Sequence, residues 1–307
     1  MTAHSTTTFH EQGARKPAAP SRRGFLAISA VAIGSAIART AHLRAAEPGT
    51  PAQSELPWSD FHVHLDNSTI DKVLELSRER KVKFGIVEHA GTKENKYPVV
   101  LSNDEELGRY LDALEGKPVY RGVQAEWTDW TSGFSWKALA RLDYILMDAM
   151  TFPGKDGQRV KLWEADATAR VDMSDKQKFM DRFVDWHVEL LDQQPIDVFA
   201  NVSWLPAPLA EDYDAFWTKA RIQKVVEAAS RRNVAMEIGL KLPSLAFLRV
   251  AKEAGLKFTL GTNGRYPNMG KIEPCLQMAS QLDLQPGDFF VPAPAGERAV
   301  ERWQRQV

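Results

Sequence analysis

Residues 59–67 read Ser-Asp-Phe-His-Val-His-Leu-Asp-Asn, and the interpretation of the chain starts from this stretch. Apolar and polar residues alternate, which predicts a β-strand with Phe61 and Val63 on one face and His62 and His64 on the other. Two imidazoles at this spacing point the same way, about 7 Å apart along the chain. They suit a site where two nitrogens converge on one divalent metal or on two adjacent metals. The alternative is a strand whose polar face holds two histidines near a turn.

Composition sets the broad class of protein. The chain has 307 residues, of which 44% are hydrophobic and 26% charged, as expected for one large globular domain or two small ones. No apolar run reaches the ~18 residues that a membrane span requires. Cys275 is the only cysteine, so a disulfide within the chain and a cysteine-based zinc site are both excluded.

The first residues have the pattern of an export signal. Residues 21–26, Ser-Arg-Arg-Gly-Phe-Leu, resemble the twin-arginine motif, and an apolar run over 25–38 follows. Small residues then offer cleavage after Ala38, Ala45 or Ala46. We predict a twin-arginine signal peptide over 1–46 and a linker over 47–56. The alternative is a basic, disordered tail beside a short buried helix.

Export would change the charge and the expected partners. Residues 1–46 hold six basic residues and one acidic residue, so cleavage moves the formal net charge from −1 to −6. A mildly acidic mature protein without a basic run is a poor nucleic-acid binder. We therefore predict a bacterial protein that is periplasmic or otherwise exported. Its expected partners are the twin-arginine export machinery and a small-molecule substrate, with no nucleic acid and no membrane after processing.

Strands and helices alternate from Trp58 onward, which predicts an α/β fold built as a seven-stranded (β/α)7 barrel, similar to a TIM barrel. After the first strand, further strands are predicted over 83–88, 118–126, 142–147, 196–202, 234–238 and 257–261. Helices are predicted over 70–81, from a capping box at 102–105, over 174–191, 214–231 and 271–282, and between Ser244 and Gly255. The polar stretch 151–169 is expected to be a functional loop or lid.

Polar residues recur where the predicted strands end. They are His64, Asp66, Glu88, His89, Glu126, Asp148, Asn201, Thr262 and Asn263. Such regularity favours a barrel with its active site at the C-terminal mouth, because a doubly wound sheet would place its site at one switch point. His187, on the predicted helix 174–191, is expected at the surface or at an interface.

Together these residues resemble the PHP family, the polymerase and histidinol phosphatase group, over about residues 57–292. His62 and His64 match the family's opening His-x-His, and Glu88-His89 matches the acid-His end of its second strand. The resemblance implies a distorted seven-stranded α/β barrel, two or three divalent metals and hydrolysis of phosphate esters. Residues 293–307 would then form a C-terminal tail.

At least four of the family's usual ligand positions are replaced. The third strand carries Gln124 instead of a glutamate, with Glu126 two residues on. At the fourth strand, Asp148-Ala149-Met150 replaces the family's Ser-x-His. Near the end of the fifth strand, Asn201 or Trp204 replaces a histidine. The family's terminal Gly-Ser-Asp-x-His is replaced by Gly261-Thr262-Asn263-Gly264-Arg265. Because a neutral amide is a weak ligand, one divalent ion is expected rather than a cluster, zinc or manganese above all.

The expected roles follow from that reduced set. The metal ligands are predicted to be His62, His64 and His89, and the catalytic carboxylates Glu88, Glu126 and Asp148, as ligand or general base. Substrate binding is assigned to Gln124, Asn201, Trp204, Asn263 and Arg265. Arg265 could grip an anionic group bidentately, or it could form a surface ion pair.

The expected function is that of an exported metal-dependent hydrolase of the PHP type, phosphoesterase-like, acting on a small phosphorylated or carbohydrate-linked substrate. One alternative is a barrel that has lost catalysis and serves as a ligand-binding module. Another is a metal-dependent amide or lactone hydrolase, because His-x-His also opens the amidohydrolase barrels, although no lysine stands where those enzymes have their bridging ligand.

Overall fold

The predicted seven-stranded barrel is confirmed. The structure, a computed structural model, describes residues 58–66, 68–240 and 244–305. Its parallel barrel strands are β1 Trp58–His64, β2 Val82–Ala90, β3 Tyr120–Ala125, β4 Tyr144–Asp148, β5 Val198–Ala200, β6 Ala235–Gly239 and β7 Phe258–Gly261. β1 pairs with both β2 and β7, which closes the ring.

Two irregular features of β1 shape the mouth of the barrel. The register between β1 and β2 shifts between Asp60 and Val63, so strict alternation is interrupted. Beyond β7, the short strand Gly264–Arg265 pairs with the end of β1, where His64 lies opposite Arg265. This pairing sets the arginine beside the His-x-His motif.

Six longer helices surround the barrel: α1 Ile70–Arg80, α2 Asp104–Leu114, α3 Lys176–Gln193, α4 Lys219–Arg232, α5 Leu245–Glu253 and α6 Glu273–Gln281. Their starts follow capping chemistry, since the side chains of Asn103 and Ser244 accept from backbone N–H groups in the first turns of α2 and α5. At α2 the capping pattern begins one residue later than predicted. Asn103 is the cap, and the Glu106 carboxylate accepts from the Ser102 N–H at 2.9 Å.

Short elements complete the described chain. They are the 3₁₀ turns Lys93–Asn95, Trp130–Gly133 and Pro286–Asp288, the short helices Trp136–Leu139, Ala167–Arg170, Ala207–Ala210, Tyr213–Phe216 and Ala299–Gln304, and the short strands Val100–Leu101, Thr151–Pro153, Arg159–Lys161 and Gly264–Arg265.

An apolar plug fills the barrel below its mouth. Tyr144 and Leu146 belong to it and share a face of β4 with Asp148, so the carboxylate lies directly above the plug. The Tyr144 hydroxyl donates to the Phe61 carbonyl at 2.7 Å. Its ring fits because residue 122 is glycine, where a Cβ would stand 2.6 Å from ring carbons. The polar residues at the mouth therefore rest on a packed floor.

Three local predictions were wrong. Residues 151–169 hold an antiparallel hairpin, Thr151–Pro153 with Arg159–Lys161, and the helix Ala167–Arg170. The predicted helix 214–231 is broken before Thr218, which caps α4 through its side chain. His187 is fully buried rather than at a surface, and its Nδ1 lies 2.6 Å from the Phe183 carbonyl.

The predicted tail contains the helix Ala299–Gln304, which packs on the barrel. The Ala299 N–H donates to Asp197 at 3.2 Å, and the Arg298 guanidinium donates to the Ala140 carbonyl at 2.9 Å. The predicted signal peptide (1–46), its cleavage sites and the linker (47–56) lie outside the described residues. Within the described part, the helices are all too short or too polar to cross a membrane.

Candidate active site

Three side chains at the ends of β1 and β2 converge at the mouth. Ligand atoms of His64, Asp66 and Glu88 all lie within 4.8 Å of one another. Within the described residues, both nitrogens of His64, Oδ1 of Asp66 and Oε2 of Glu88 are buried and have no hydrogen-bond partner. Leaving such a group unpaired costs about 1–3 kcal/mol. An imidazole with two carboxylates is a donor set that binds divalent metals, so the cluster fits a metal ion.

The electrostatics of the cluster agree with that role. Burial, reinforced by His62, His89 and Arg265, lowers the pKa of His64 well below its usual value, so the ring is in the neutral form that metals bind. Burial raises the pKa of Glu88 to about 7. Its Oε1 accepts from the Leu65 N–H at 2.9 Å, which leaves Oε2 for the cluster.

His62 is placed quite differently from His64. Its Nδ1 lies 2.7 Å from Glu237 Oε2, and its Nε2 lies 2.8 Å from Gln124 Oε1. The Gln124 amide nitrogen donates to Glu126 at 2.7 Å, so the amide oxygen faces the imidazole and His62 Nε2 must carry a hydrogen. Burial alone lowers the pKa of His62, but Glu237 raises it above the usual value. As placed, His62 has both ring nitrogens in hydrogen bonds and none left for a metal.

Glu237 was missed at the level of sequence, although it faces the His-x-His motif from β6. It is buried, and room for it exists because residue 261 is glycine: a Cβ there would stand 2.0 Å from Glu237 Oε2. One clue was available. A glutamate inside the strand Ala235–Gly239 interrupts the apolar run that is normal for a buried parallel strand.

His89 and Glu126 form a dyad. His89 Nδ1 lies 2.9 Å from Glu126 Oε1, and the Tyr97 hydroxyl donates to Glu126 Oε2 at 3.1 Å. Because a carboxylate accepts, Nδ1 carries the hydrogen of this contact, so Nε2 is the nitrogen that holds the lone pair in the neutral form of the ring. Nε2 is buried and unpartnered among the described residues. The ring lies between those of Tyr97 and His64, with centroids at 3.5 and 4.7 Å.

A small cavity of about 150 Å³ opens onto these groups. It is lined by His89, Tyr97, Gln124, Asp148, Met150, Trp163, Asn263 and Arg265. Burial raises the pKa of Asp148 to about 7. The Asp148 carboxylate accepts from the Asn201 amide at 2.9 Å and from the Met150 N–H at 2.8 Å. A carboxyl group that titrates near neutrality in a cavity is suited to moving protons.

Arg265 supplies the positive charge of the cavity. Its Nε donates to Asp66 Oδ2, and its NH1 donates to Asn263 Oδ1 at 2.9 Å. Asn263 has a left-handed backbone with φ of 48°, which turns the chain so that residues 263 and 265 meet. The guanidinium is therefore held in place at the edge of the candidate metal-binding cluster of His64, Asp66 and Glu88.

The structure brings most of the predicted site residues together. Those that meet at the mouth are His62, His64, Glu88, His89, Gln124, Glu126, Asp148, Asn263 and Arg265. Asn201 stands behind Asp148, and Trp204 packs half-buried against the core and does not line the cavity. Asp66, Tyr97 and Glu237 complete the site and were not predicted in these roles. The polar end of β1 pointed to Asp66, whereas Tyr97 follows a short turn and has no periodic pattern around it.

Comparisons with known proteins gave a weak structural likeness and no sequence match. No family model matches the chain, and no curated protein matches it. A similar solved structure is that of the HpcH/HpaI aldolase from Desulfitobacterium hafniense DCB-2. The two are 12% identical with a TM-score of 0.34, over 76% of this chain and 95% of that chain. At this level of similarity the likeness carries no argument about fold or activity.

The predicted function is corrected at this point. The predicted hydrolase of the PHP type is contradicted, and neither the ligand-binding module nor the amide or lactone hydrolase is supported. The side chains supply a physical reason. The His-x-His pair that suggested a PHP centre is divided, since His62 is engaged by Glu237 and Gln124. The resemblance to the PHP family stays a prediction from sequence.

Proposed function

We propose that the protein is a divalent-metal-dependent enzyme that moves a proton at a carbon next to a carbonyl group in a small carboxylate substrate. This is the chemistry of lyases and isomerases. The observation that carries the proposal is the convergence of unpartnered donor atoms from His64, Asp66 and Glu88 beside the lone pair of His89.

His64, Asp66 and Glu88 would hold one ion, with zinc or manganese compatible with a nitrogen and two oxygens. When bound, such an ion would supply Lewis-acid polarisation of the substrate's carbonyl oxygen. Asp66 also accepts from Arg265, so the arginine and the metal cluster share one carboxylate. Binding of the ion and orientation of the substrate are thereby linked.

Arg265 and Asn263 are placed to bind the carboxylate of the substrate. A guanidinium matches a carboxylate in charge and in planar geometry. The cavity of about 150 Å³ limits the size of what enters. The small cavity therefore favours a small substrate, and we assign a 2-oxo acid of a few carbons.

Proton transfer is assigned to two side chains. His89 Nε2 takes a proton from the carbon next to the carbonyl, the C–H electron pair forms a carbon–carbon double bond, and the carbonyl π pair moves to oxygen. Glu126 stabilises the imidazolium that forms, since it accepts from His89 Nδ1 at 2.9 Å. Asp148, whose pKa is raised to about 7, returns a proton to the product.

Hydrogen–deuterium exchange tests this assignment directly. Protein loaded with zinc or manganese is incubated in D₂O with pyruvate or 2-oxobutyrate, the metal is removed, and deuterium at C3 is measured by mass spectrometry. We expect exchange that requires both protein and metal and that His89→Gln abolishes. Lys155→Ala, on the exposed turn of the hairpin, is the matched control. Metal-loaded protein that leaves the exchange rate of every small 2-oxo acid unchanged would refute the proposal.

We propose separately that the protein is exported by the twin-arginine route, on the strength of the motif in residues 21–26. Cell fractionation tests this: the double substitution Arg22→Lys, Arg23→Lys should retain the protein in the cytoplasm. Unchanged fractionation of that variant contradicts export by this pathway.

A further inference from the structure

Asp60 is a buried carboxyl group that the proposed mechanism does not use. It lies on β1, two residues before His62, and is inaccessible to solvent. Its Oδ1 accepts from the Thr262 N–H at 3.0 Å and from the His62 N–H at 3.2 Å. Its Oδ2 accepts from the Thr262 hydroxyl at 2.6 Å and from the Gly270 N–H at 2.9 Å. One carboxyl group therefore binds Thr262 and Gly270 at the same time.

The segment whose two ends Asp60 binds, residues 262–270, carries the proposed carboxylate-binding side chains. We call this segment the Arg265 loop. It follows β7, and it contains Asn263 and Arg265, which are hydrogen-bonded to each other at 2.9 Å. Because Asp60 is bonded to both ends, it closes the loop at its base. The loop that presents Arg265 to the cavity is thus closed by a carboxyl group that does not itself line the cavity.

The outer part of the Arg265 loop is held by other contacts. The Arg80 guanidinium, at the end of α1, donates to the carbonyl of Met269 and, at 2.8 Å, to that of Pro267. The two limbs of the loop also lie close together, since residue 264 is glycine and a Cβ there would stand 2.5 Å from Met269 Cα. Arg80 thus restrains the limb that follows Arg265, whereas Asp60 joins the two ends.

The contacts of Asp60 require two accepting oxygens. Burial raises the pKa of Asp60, and its hydrogen-bond donors oppose that rise. Three of the four donors are backbone N–H groups, which cannot accept a hydrogen bond. An asparagine of the same shape would turn its amide nitrogen either to the Gly270 N–H or to the N–H groups of Thr262 and His62. In both orientations at least one buried N–H loses its acceptor.

We propose that Asp60 is a positioning residue that sets Arg265 for the substrate carboxylate by closing the Arg265 loop. The inference rests on the proposed function for the group that Arg265 binds. The closure of the loop rests on the contacts of Asp60 and is tested without any substrate. Asp60 acts through Arg265 and touches neither the substrate nor the metal ion.

Amide hydrogen exchange followed by mass spectrometry tests the closure. In Asp60→Asn, exchange over residues 262–270 should be roughly tenfold faster than in the wild type, because one end of the loop is released. Thr262→Val, which removes only the hydroxyl contact, should show a smaller increase, and Thr262→Ser should resemble the wild type. Exchange in α3 is the internal reference and should not change.

Thr259→Val is the matched control. Thr259 is a buried threonine on β7, and its hydroxyl has no hydrogen-bond partner within the described residues. Removal of that hydroxyl should leave exchange in the Arg265 loop as in the wild type. Unchanged exchange in Asp60→Asn overturns the proposal, and so does an increase of equal size in α3. Where Asp60→Asn fails to fold, Thr262→Val is judged by the same two results.

Substrate affinity tests the effect on Arg265. Metal-loaded protein is titrated calorimetrically with 2-oxobutyrate. Asp60→Asn and Arg265→Gln should each weaken binding by roughly tenfold. Because Asp60 acts through Arg265, the double variant should bind no more weakly than Arg265→Gln alone. Losses that add in the double variant, or wild-type affinity in Asp60→Asn, overturn the proposal.

Failure of the proposed function gives a different result. If 2-oxobutyrate and the other small 2-oxo acids neither bind nor exchange deuterium in the wild type, the proposed function fails. Hydrogen exchange then decides the closure alone. Faster exchange confined to the Arg265 loop in Asp60→Asn supports the hold of Asp60 on the loop, and unchanged exchange overturns it.

Discussion

His62 and His64 lie two residues apart on β1, both fully buried, in opposite surroundings. His62 is engaged at both nitrogens by Glu237 and Gln124, and His64 has no partner at either nitrogen within the described residues. Within one motif, His62 thus belongs to a network of satisfied hydrogen bonds, whereas His64 belongs to a cluster with unpartnered ligand atoms. The neighbouring strands, and not the motif, decide which histidine is available to a ligand.

The two regions also differ in what their side chains do for the protein. The chain of contacts from Glu237 through His62, Gln124 and Glu126 to His89 is connected at every step by 2.7–2.9 Å contacts. A satisfied buried network rigidifies the interior and fixes tautomers. The cluster of His64, Asp66 and Glu88 retains unpartnered atoms, whose cost a bound cation would offset.

The sharpest way to break this comparison is to remove His62. His62→Ala leaves Glu237 buried without its partner, and we expect the free energy of unfolding to fall by about 3–5 kcal/mol. Metal affinity should stay within about threefold, because His62 is not a ligand in the proposed cluster. Denaturant unfolding and metal titration measure the two effects. Loss of metal binding in this variant would restore His62 as a ligand, as the sequence predicted.

His187 offers a third buried imidazole, outside both regions. Burial lowers the pKa of His187 from 6.5 to about 4. Between these pH values the imidazole is protonated in the unfolded chain and neutral in the folded protein. Stability should therefore decline as pH falls from 6.5 to 4, by about 3 kcal/mol from this group. The free energy of unfolding is measured for the wild type and for His187→Gln across that range. Because the variant lacks the imidazole, the wild type should lose about 3 kcal/mol relative to it between pH 6.5 and pH 4. A difference that is constant with pH contradicts the prediction.

The open cluster is tested by Glu88→Gln, which keeps the shape of the side chain and removes its charge. Since a neutral amide is a weak ligand, affinity for zinc or manganese should fall at least about 100-fold, or 2.7 kcal/mol. The rise in melting temperature that metal produces in the wild type should disappear. Equal metal affinity in the wild type and in Glu88→Gln would contradict the prediction that Glu88 is a metal ligand.

The smallest expected effect concerns the space that admits Glu237. Gly261→Ala places a Cβ 2.0 Å from Glu237 Oε2, and overpacking of this kind costs about 1–3 kcal/mol. Gly287→Ala is the matched control, because an added Cβ there meets no atom within 4 Å. Chemical unfolding of the two variants should separate them. A Gly261→Ala protein as stable as the control would show that Glu237 can move without loss.

Periodicity predicted the barrel because local patterns specify it. Apolar strands and amphipathic helices alternate along the chain, and caps such as Ser244 mark helix starts. Elements without such periodicity were missed or misplaced: the hairpin over 151–161, the break before Thr218 and the helix Ala299–Gln304. His187 was misplaced because a helix pattern gives no sign that Phe183, Phe199 and Trp217 surround the ring.

The amino-acid sequence alone determined the alternation of strands and helices and the set of polar residues at the strand ends, because both follow from local spacing. Only the tertiary structure decided how those polar residues pair. Glu237 from β6 reaches His62 across the barrel, and Arg265 comes beside His64 through a short strand 199 residues beyond Asp66. Hydrogen bonds between distant strands depend on closure of the barrel, and no local pattern encodes which partner each side chain will meet.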